Sequence, residues 1–191
     1  MRLFVAVEIE LPVVQAAQVV VTELRARAQV LAPRARITWI PPQLMHITMR
    51  FIGEAGASDL HLVTDALAPP VPVPPITLTL SGVGAFPGTG SPTVIWGALT
   101  VGAAELSAVE REISARLRRI GVGPDERAFT PHLTLARVRD AVDLRSETLL
   151  TGFEATPLGT SRVDAITLFE SRLSAKGPTY AAIQRTPLRA G

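Results

Sequence analysis

The tetrapeptide His46-Ile47-Thr48-Met49, within LMHITMRFIGE, has the same pattern as His132-Leu133-Thr134-Leu135, within FTPHLTLARV. Both read histidine, apolar residue, threonine, apolar residue, and both are flanked by residues that favour strands. Successive side chains of a β-strand point to opposite faces. Each motif therefore predicts a strand with a polar face of histidine and threonine and an apolar face that packs into a core.

The chain contains three histidines, and two of them occupy these matching positions. A single histidine is more often a surface residue or a hydrogen-bonded core residue, and His61, in the run SDLHLVTDAL, fits an ordinary helix surface. Two histidines that begin the same four-residue pattern favour a shared role. If the apolar faces pack inward, the polar faces converge on one cleft with two imidazoles and two hydroxyls. Such a cleft suits an anionic group at which protons are transferred.

The 191-residue chain has the composition of a globular protein, with 47% hydrophobic and 19% charged residues. Its length suits one compact domain or two intimately packed lobes, and we expect a single domain, 1–191, of two interleaved lobes with no separable linker. No apolar run reaches the roughly 18 residues of a membrane-spanning helix. Glu8 and Glu10 end the first apolar run too early for a signal peptide. We therefore expect a soluble, cytoplasmic protein, and a monomer by default.

The chain has no cysteine, which excludes disulfides, thiol nucleophiles and thiolate metal sites. Two separated histidines and His61 do not form a recognisable set of zinc ligands, so we expect neither a metal nor another cofactor. Eighteen of the 19 basic residues are arginines, which bind phosphate through paired donors. The net charge of +2 is small, however, so composition alone is weak evidence for a nucleic-acid surface.

Hydrophobic periodicity predicts strands and two long helices in an order that occurs twice. The long helices are expected at about 11–27 and 103–120, and a shorter helix at 58–67. Residues 69–75 read as an extended connector, 81–92 as a turn-forming loop, and 142–151 as a weak helix or irregular stretch. Strands are expected at 2–8, 36–40, 46–52, 76–80, 93–100, 132–138, 163–173 and 179–187, the last two joined as a hairpin by 174–178. The repeated order suggests a pseudo-symmetric duplication.

Both motif stretches, with the opening RLFVAVEI and the late segment VDAITLFESRL followed by GPTYAAI, resemble the 2H phosphoesterases. The resemblance is to the RNA 2′,3′-cyclic phosphodiesterases once named 2′-5′ RNA ligases, and it covers essentially the whole chain. It implies an α+β fold of two pseudo-symmetric lobes, each an antiparallel sheet with outer helices, with the active-site cleft between them. It also implies metal-independent hydrolysis of an RNA terminal 2′,3′-cyclic phosphate to a 2′-phosphate. Some members also join tRNA halves through a 2′-5′ linkage.

The resemblance assigns His46 as the proton donor and His132 as the proton acceptor. An imidazole has a pKa near 6.5, so one can be protonated while the other is neutral at physiological pH. We expect the hydroxyls of Thr48 and Thr134 to hold the non-bridging phosphate oxygens. Met49 stands where leucine is usual in the family, a volume-conserving change on the apolar face.

Two arginines follow the motifs. Arg50 shares strand parity with His46 and Thr48, so a regular strand turns it toward the cleft and the phosphate. Arg137 has the wrong parity in a regular strand, although the family has a phosphate-assisting arginine at that position. A strand end or a β-bulge is therefore needed to redirect it. The alternative for each arginine is an ordinary surface charge.

The expected partner is RNA that ends in a 2′,3′-cyclic phosphate, with no membrane and no obligate protein partner. Base-binding residues are left unassigned, because Phe4, Trp39, Phe86, Phe169 and Tyr180 each fit a core better than a stacking platform. Two kinds of alternative stay open. Within the same fold, the protein could hydrolyse cyclic phosphates of small nucleotides or of ADP-ribose, or act physiologically as a 2′-5′ ligase; from another class, it could be a non-catalytic RNA- or nucleotide-binding module. Two complete motifs favour catalysis, since binding alone does not need two titrating groups.

Overall fold

A computed structural model of the protein describes residues 1–124, 128–174 and 177–190. A 3₁₀ turn, Pro42–Leu44, precedes the first motif strand. Within the described residues the strands and α-helices follow in the order β1 (Arg2–Glu8), α1 (Leu11–Leu31), β2 (Arg36–Trp39), β3 (His46–Glu54), α2 (Ala57–Leu67), β4 (Ile76–Phe86), β5 (Val94–Val101), α3 (Ala103–Arg119), β6 (Leu133–Asp140), α4 (Ser146–Leu150), β7 (Pro157–Val163), β8 (Ala165–Ser174) and β9 (Gly177–Pro187).

The strands form two antiparallel sheets. One has the order β3-β1-β8-β9 and the other β2-β6-β5-β4-β7. The first motif strand, β3, lies at the edge of the four-stranded sheet, and the second, β6, lies between β2 and β5 in the five-stranded sheet. Contacts between β3 and β6 bring the motif strands of the two sheets together. The predicted α+β architecture of two antiparallel sheets is confirmed.

Each long helix follows a strand of one sheet and packs against elements of the other half of the chain. Helix α1 follows β1 of the four-stranded sheet but packs on β7 of the five-stranded sheet, where Val13 lies against Gly159. Helix α3 follows β5 of the five-stranded sheet and contacts α2 and β3. Across the described ranges, no helix is both long and apolar enough to span a bilayer.

The apolar faces predicted for the two long helices are confirmed. Val13, Ala17 and Leu24 of α1 are fully buried. Helix α3 buries Leu106, Val109, Ile113 and Leu117, spaced at three or four residues as an amphipathic helix requires. His61 is exposed on α2, as expected for a helix-surface histidine.

Two predictions about strands were wrong. The expected loop at 81–92 is strand as far as Phe86, because Gly82 and Gly84 allow close packing instead of making a turn: a Cβ at Gly84 collides with the ring of Trp96. Strand β7 was missed because PLGTSRV carries proline, glycine and few apolar residues, which is tolerated at a sheet edge. The predicted hairpin of β8 and β9 is present, and residues 175 and 176 of its turn lie outside the described residues.

Candidate active site

The first motif begins β3, directly after the 3₁₀ turn. Ile47 and Met49 are 0% and 2% exposed, while His46 and Thr48 are partly exposed on the opposite face. The Nδ1 atom of His46 lies 2.8 Å from the carbonyl oxygen of Leu44, and its Nε2 atom lies 3.0 Å from the Thr48 hydroxyl. Because a carbonyl only accepts, Nδ1 carries a hydrogen, and Nε2 is left to exchange a proton.

The second motif repeats this arrangement at the start of β6. Leu133 and Leu135 are fully buried, and His132 and Thr134 are partly exposed. The Nδ1 atom of His132 lies 2.6 Å from the carbonyl oxygen of Thr130, again two residues earlier in the chain. Both imidazoles are therefore held in one tautomer by a backbone carbonyl and direct Nε2 outward.

A β-bulge interrupts each motif strand at its fourth motif residue. In β3, Arg50 pairs with Val5 and Thr48 pairs with Ala6, so Met49 has no partner across the ladder. In β6 the equivalent unpaired residue is Leu135, because the residues on either side of it pair with consecutive residues of β5. A bulge inserts one residue and so reverses the alternation of side chains beyond it.

The bulges decide which side chains after the motifs reach the cleft. The fifth residue after each histidine, Phe51 or Arg137, is turned outward, and Phe51 is 55% exposed. The fourth residue after each histidine, Arg50 or Ala136, is turned inward and buried. The bulge that the Arg137 prediction required is present. The strand is not regular at Arg50, so the parity argument does not apply to it, and its phosphate contact stays a prediction.

Two cavities, of about 450 and 380 Å³, lie side by side at the motifs. His46 lines the larger one and His132 the smaller one. Four side chains line both cavities: Thr48, Phe51, Thr134 and Arg137. These four form a shared wall between the two imidazoles. The structure therefore brings both motifs and Arg137 to one cleft, and Arg50 contributes only to the smaller cavity.

Aromatic rings surround each histidine. Phe4 and Tyr180 lie 5.1 and 5.4 Å from the His46 ring, centroid to centroid, and Phe86 lies 5.3 Å from that of His132. Residues that the sequence left unassigned thus form the walls around the imidazoles and limit their access to water.

The fold places two further aromatic residues near the site and a third against the hydrophobic core. Phe51 belongs to the stretch that carries the resemblance but was given no role from the sequence, and only the bulge turns it into the shared wall. Trp96 was identified only as a strand residue, yet its ring lies 6.3 Å from that of His132. Trp39 is partly buried against the hydrophobic core on β2.

Burial lowers the pKa of both His46 and His132 below the usual range of imidazole, because it disfavours the charged form. The carbonyls of Leu44 and Thr130 act in the opposite direction and raise the pKa, because each accepts a hydrogen bond from the imidazolium. The positive charge of Arg137 lowers both pKa values further. At neutral pH both rings are therefore neutral in the empty cleft. A bound phosphate, being an anion, favours protonation of one of them.

The described parts of the chain hold no group of three or more histidine, cysteine, aspartate or glutamate side chains suited to a metal ion. The two motifs and Arg137 bring imidazoles, hydroxyls and a guanidinium to the cleft. Together they can transfer protons and bind the oxygens of an anion.

Arg50 is 3% exposed, and its Nη2 donates a hydrogen bond to the carbonyl of Gly123, between α3 and the second motif. We expect Arg50→Ala to lower the free energy of unfolding by about 2–4 kcal/mol, because it removes buried packing and a charged donor. Urea unfolding measures this, with the exposed Arg36→Ala as the matched control. Lost activity with unchanged stability would instead support the predicted phosphate contact.

Known proteins resemble this chain in sequence and in fold. The model of the 2′-5′ RNA ligase superfamily matches residues 12–174. An RNA 2′,3′-cyclic phosphodiesterase of Archaeoglobus fulgidus is 31% identical over 94% of this chain and 96% of its own, and one of Aeropyrum pernix is 34% identical over 72% and 78%. The crystal structure of TT0787 of Thermus thermophilus shares the fold, with a TM-score of 0.75 at 24% identity over 99% of this chain and 98% of its own. The chain belongs to the 2′-5′ RNA ligase superfamily, as its paired histidine motifs predicted.

Proposed function

We propose that this protein hydrolyses the 2′,3′-cyclic phosphate at an RNA end to a 2′-phosphate, without a metal, by general acid–base catalysis. The observation that carries the proposal is the pair of imidazoles, each held by a carbonyl two residues earlier, on either side of one polar wall. The names of the two archaeal relatives support the same substrate.

The reaction needs one proton removed and one supplied. His132 Nε2 accepts a proton from water as the water oxygen attacks phosphorus. The bond from phosphorus to O3′ breaks on the opposite side, and His46 Nε2 donates a proton to O3′. The product carries a 2′-phosphate and a free 3′-hydroxyl. Histidines on opposite sides of the shared wall suit this in-line displacement, in which the attacking and leaving oxygens are also opposite.

The shared wall binds the phosphate. The hydroxyls of Thr48 and Thr134 donate to the non-bridging oxygens, and the guanidinium of Arg137 offers paired donors to the same oxygens. Burial of the cleft strengthens these interactions as negative charge builds up on the oxygens. Such donors promote the reaction because they are already in place before the charge develops.

A product analysis tests the proposal. The purified protein is incubated in EDTA with a short RNA ending in a 2′,3′-cyclic phosphate, and the products are separated by chromatography. A 2′-phosphate product supports the proposal. Binding of the RNA without turnover would favour the non-catalytic binding module. Turnover of nucleoside cyclic phosphates alone would assign the protein to small nucleotides, and a 2′-5′-linked product with added 5′-hydroxyl RNA would identify ligation.

Replacing the hydroxyl of Thr48 or Thr134 with a methyl group, as in Thr→Val, is expected to lower kcat by about 10²-fold, as removal of an oxyanion donor does. KM should change less, because the interaction strengthens in the transition state. Steady-state kinetics on the same RNA measure both constants. Thr38→Val, at an exposed position of β2, serves as the matched control. An unchanged kcat would remove the threonines from the mechanism.

A further inference from the structure

Arg2 lines the larger cavity, and the proposed mechanism does not use it. It begins β1, two residues before Phe4, whose ring lies 5.1 Å from that of His46. Residues two apart on a strand share a face and are separated by about 7 Å. The cavity wall therefore continues from His46 past Phe4 to Arg2.

Small residues flank Arg2 along the wall and leave room for a ligand. On β8 it pairs with Ser171, and on β3 Gly53 lies next to its partner; both residues line the cavity. Gly53 has a φ of 94°, and a Cβ built there would have no atom within 4 Å. The space beside Arg2 is thus open.

The charges favour an anion at this end of the cavity. Two arginines, Arg2 and Arg137, line the larger cavity, and no carboxylate lines it among the described residues. The nearest acid to Arg2 is Glu54, at 3.5 Å, and the two side chains are 68% and 72% exposed. Exposed ion pairs of this kind contribute little, so Glu54 does not prevent Arg2 from binding another anion. The smaller cavity differs in being lined by Glu110.

We infer that Arg2 binds the phosphate on the 5′ side of the terminal nucleotide, so that the site prefers ends carrying this second phosphate over a bare nucleoside cyclic phosphate. The inference rests on the proposed function, in which the cyclic phosphate lies at the shared wall. The terminal nucleoside then lies along Phe4, and the next phosphate reaches the guanidinium. The second phosphate comes from a 5′-monoester on a single nucleotide or from the phosphodiester of a longer RNA.

Three substrates test this: adenosine 2′,3′-cyclic phosphate, the same compound with a 5′-phosphate, and the dinucleotide ApA with a 2′,3′-cyclic phosphate. In wild type we expect kcat/KM to be about tenfold higher for the two substrates with a second phosphate, as one charge-assisted contact provides. In Arg2→Gln the ratio falls to about one. For ApA, a plot of log kcat/KM against log salt concentration should be less steep in Arg2→Gln than in wild type, by about 0.7 in slope. This is the amount expected for the loss of one phosphate contact on a single strand.

Arg172→Gln, an exposed arginine next to Ser171 that does not line the cavity, keeps the wild-type ratio. If the Arg2-dependent preference extends only to the 5′-monoester, that source of the phosphate is identified; if it extends to ApA, the phosphodiester is recognised too. A wild-type enzyme that turns over all three alike, or a preference that survives Arg2→Gln on both substrates, overturns the role of Arg2 and leaves the proposed function standing. No turnover of any substrate overturns both.

Discussion

Replacing His46 or His132 with alanine is expected to lower kcat/KM for an RNA 2′,3′-cyclic phosphate by about 10²–10⁴-fold, the range for a lost general acid or base. Each imidazole handles a different proton, one from the attacking water and one for the leaving oxygen, so neither can take the place of the other. The double variant should lose little more than the worse single variant, because residues that act as a unit are not additive. Initial rates in EDTA with the cyclic-phosphate RNA measure these losses.

His61→Ala is the matched control, because His61 is exposed on α2 and lines neither cavity. Its kcat/KM should equal that of the wild type. Melting temperatures of all four variants show whether the fold is kept. A folded His46 or His132 variant that keeps its activity within about tenfold of the wild type would contradict the two-histidine mechanism.

A changed leaving group separates the acid from the base. p-Nitrophenolate leaves without a proton, so a p-nitrophenyl phosphodiester does not need a general acid. His46→Ala should therefore lose much less activity on such a substrate than His132→Ala. The reverse order would exchange the two roles, with His46 as the base and His132 as the acid.

The paired bulges place different side chains in the cleft after the two motifs. Each motif strand has a bulge at its last motif residue, in its pairing with β1 or β5, so each turns its fifth residue after the histidine into the cleft. In the first strand this residue is the aromatic Phe51, and in the second it is the cation Arg137. The backbone is therefore nearly symmetric at the two motifs, while the chemistry of the shared wall is not. At this position the second motif strand therefore adds a cation to the shared wall, and the first adds an aromatic side chain.

Local patterns predicted the motif strands, because strand alternation relates His46 to Thr48 and His132 to Thr134 without knowledge of the fold. The same alternation does not apply beyond Met49, since a bulge depends on how β3 pairs with β1. For Arg137 the resemblance supplied the expectation, and strand parity alone would have rejected it.

The aromatic walls could not be predicted for a related reason. Phe4, Phe86 and Tyr180 lie far from the histidines in sequence and meet them only through sheet pairing. A half-buried aromatic residue has the same local pattern in a core and beside an active site. Strand β7 was missed because its stability comes from pairing with β4 and from the cover of α1, neither of which leaves a local signal.

The pH dependence of kcat/KM reports the pKa values of the free enzyme. Burial, with a further contribution from Arg137, holds the pKa of both histidines below the usual 6.5. Because the reaction needs one imidazole protonated and one neutral, the rate is maximal between the two apparent pKa values of the pair. We therefore expect a bell-shaped profile with its maximum below pH 6.5.

Arg137→Gln is expected to change this profile as well as the rate. Loss of the guanidinium removes a phosphate donor and should lower kcat/KM at the optimum by about 10²-fold. It also removes a positive charge that disfavours both imidazolium forms, so both pKa values rise and the maximum moves to higher pH.

Arg139→Gln makes the same change of charge two residues further along β6, at an exposed position that lines neither cavity. A lower rate without movement of the maximum would mean that Arg137 binds phosphate without setting the protonation of the histidines. Movement in Arg139→Gln as well would point to the net charge of the protein rather than to the position of Arg137 in the shared wall.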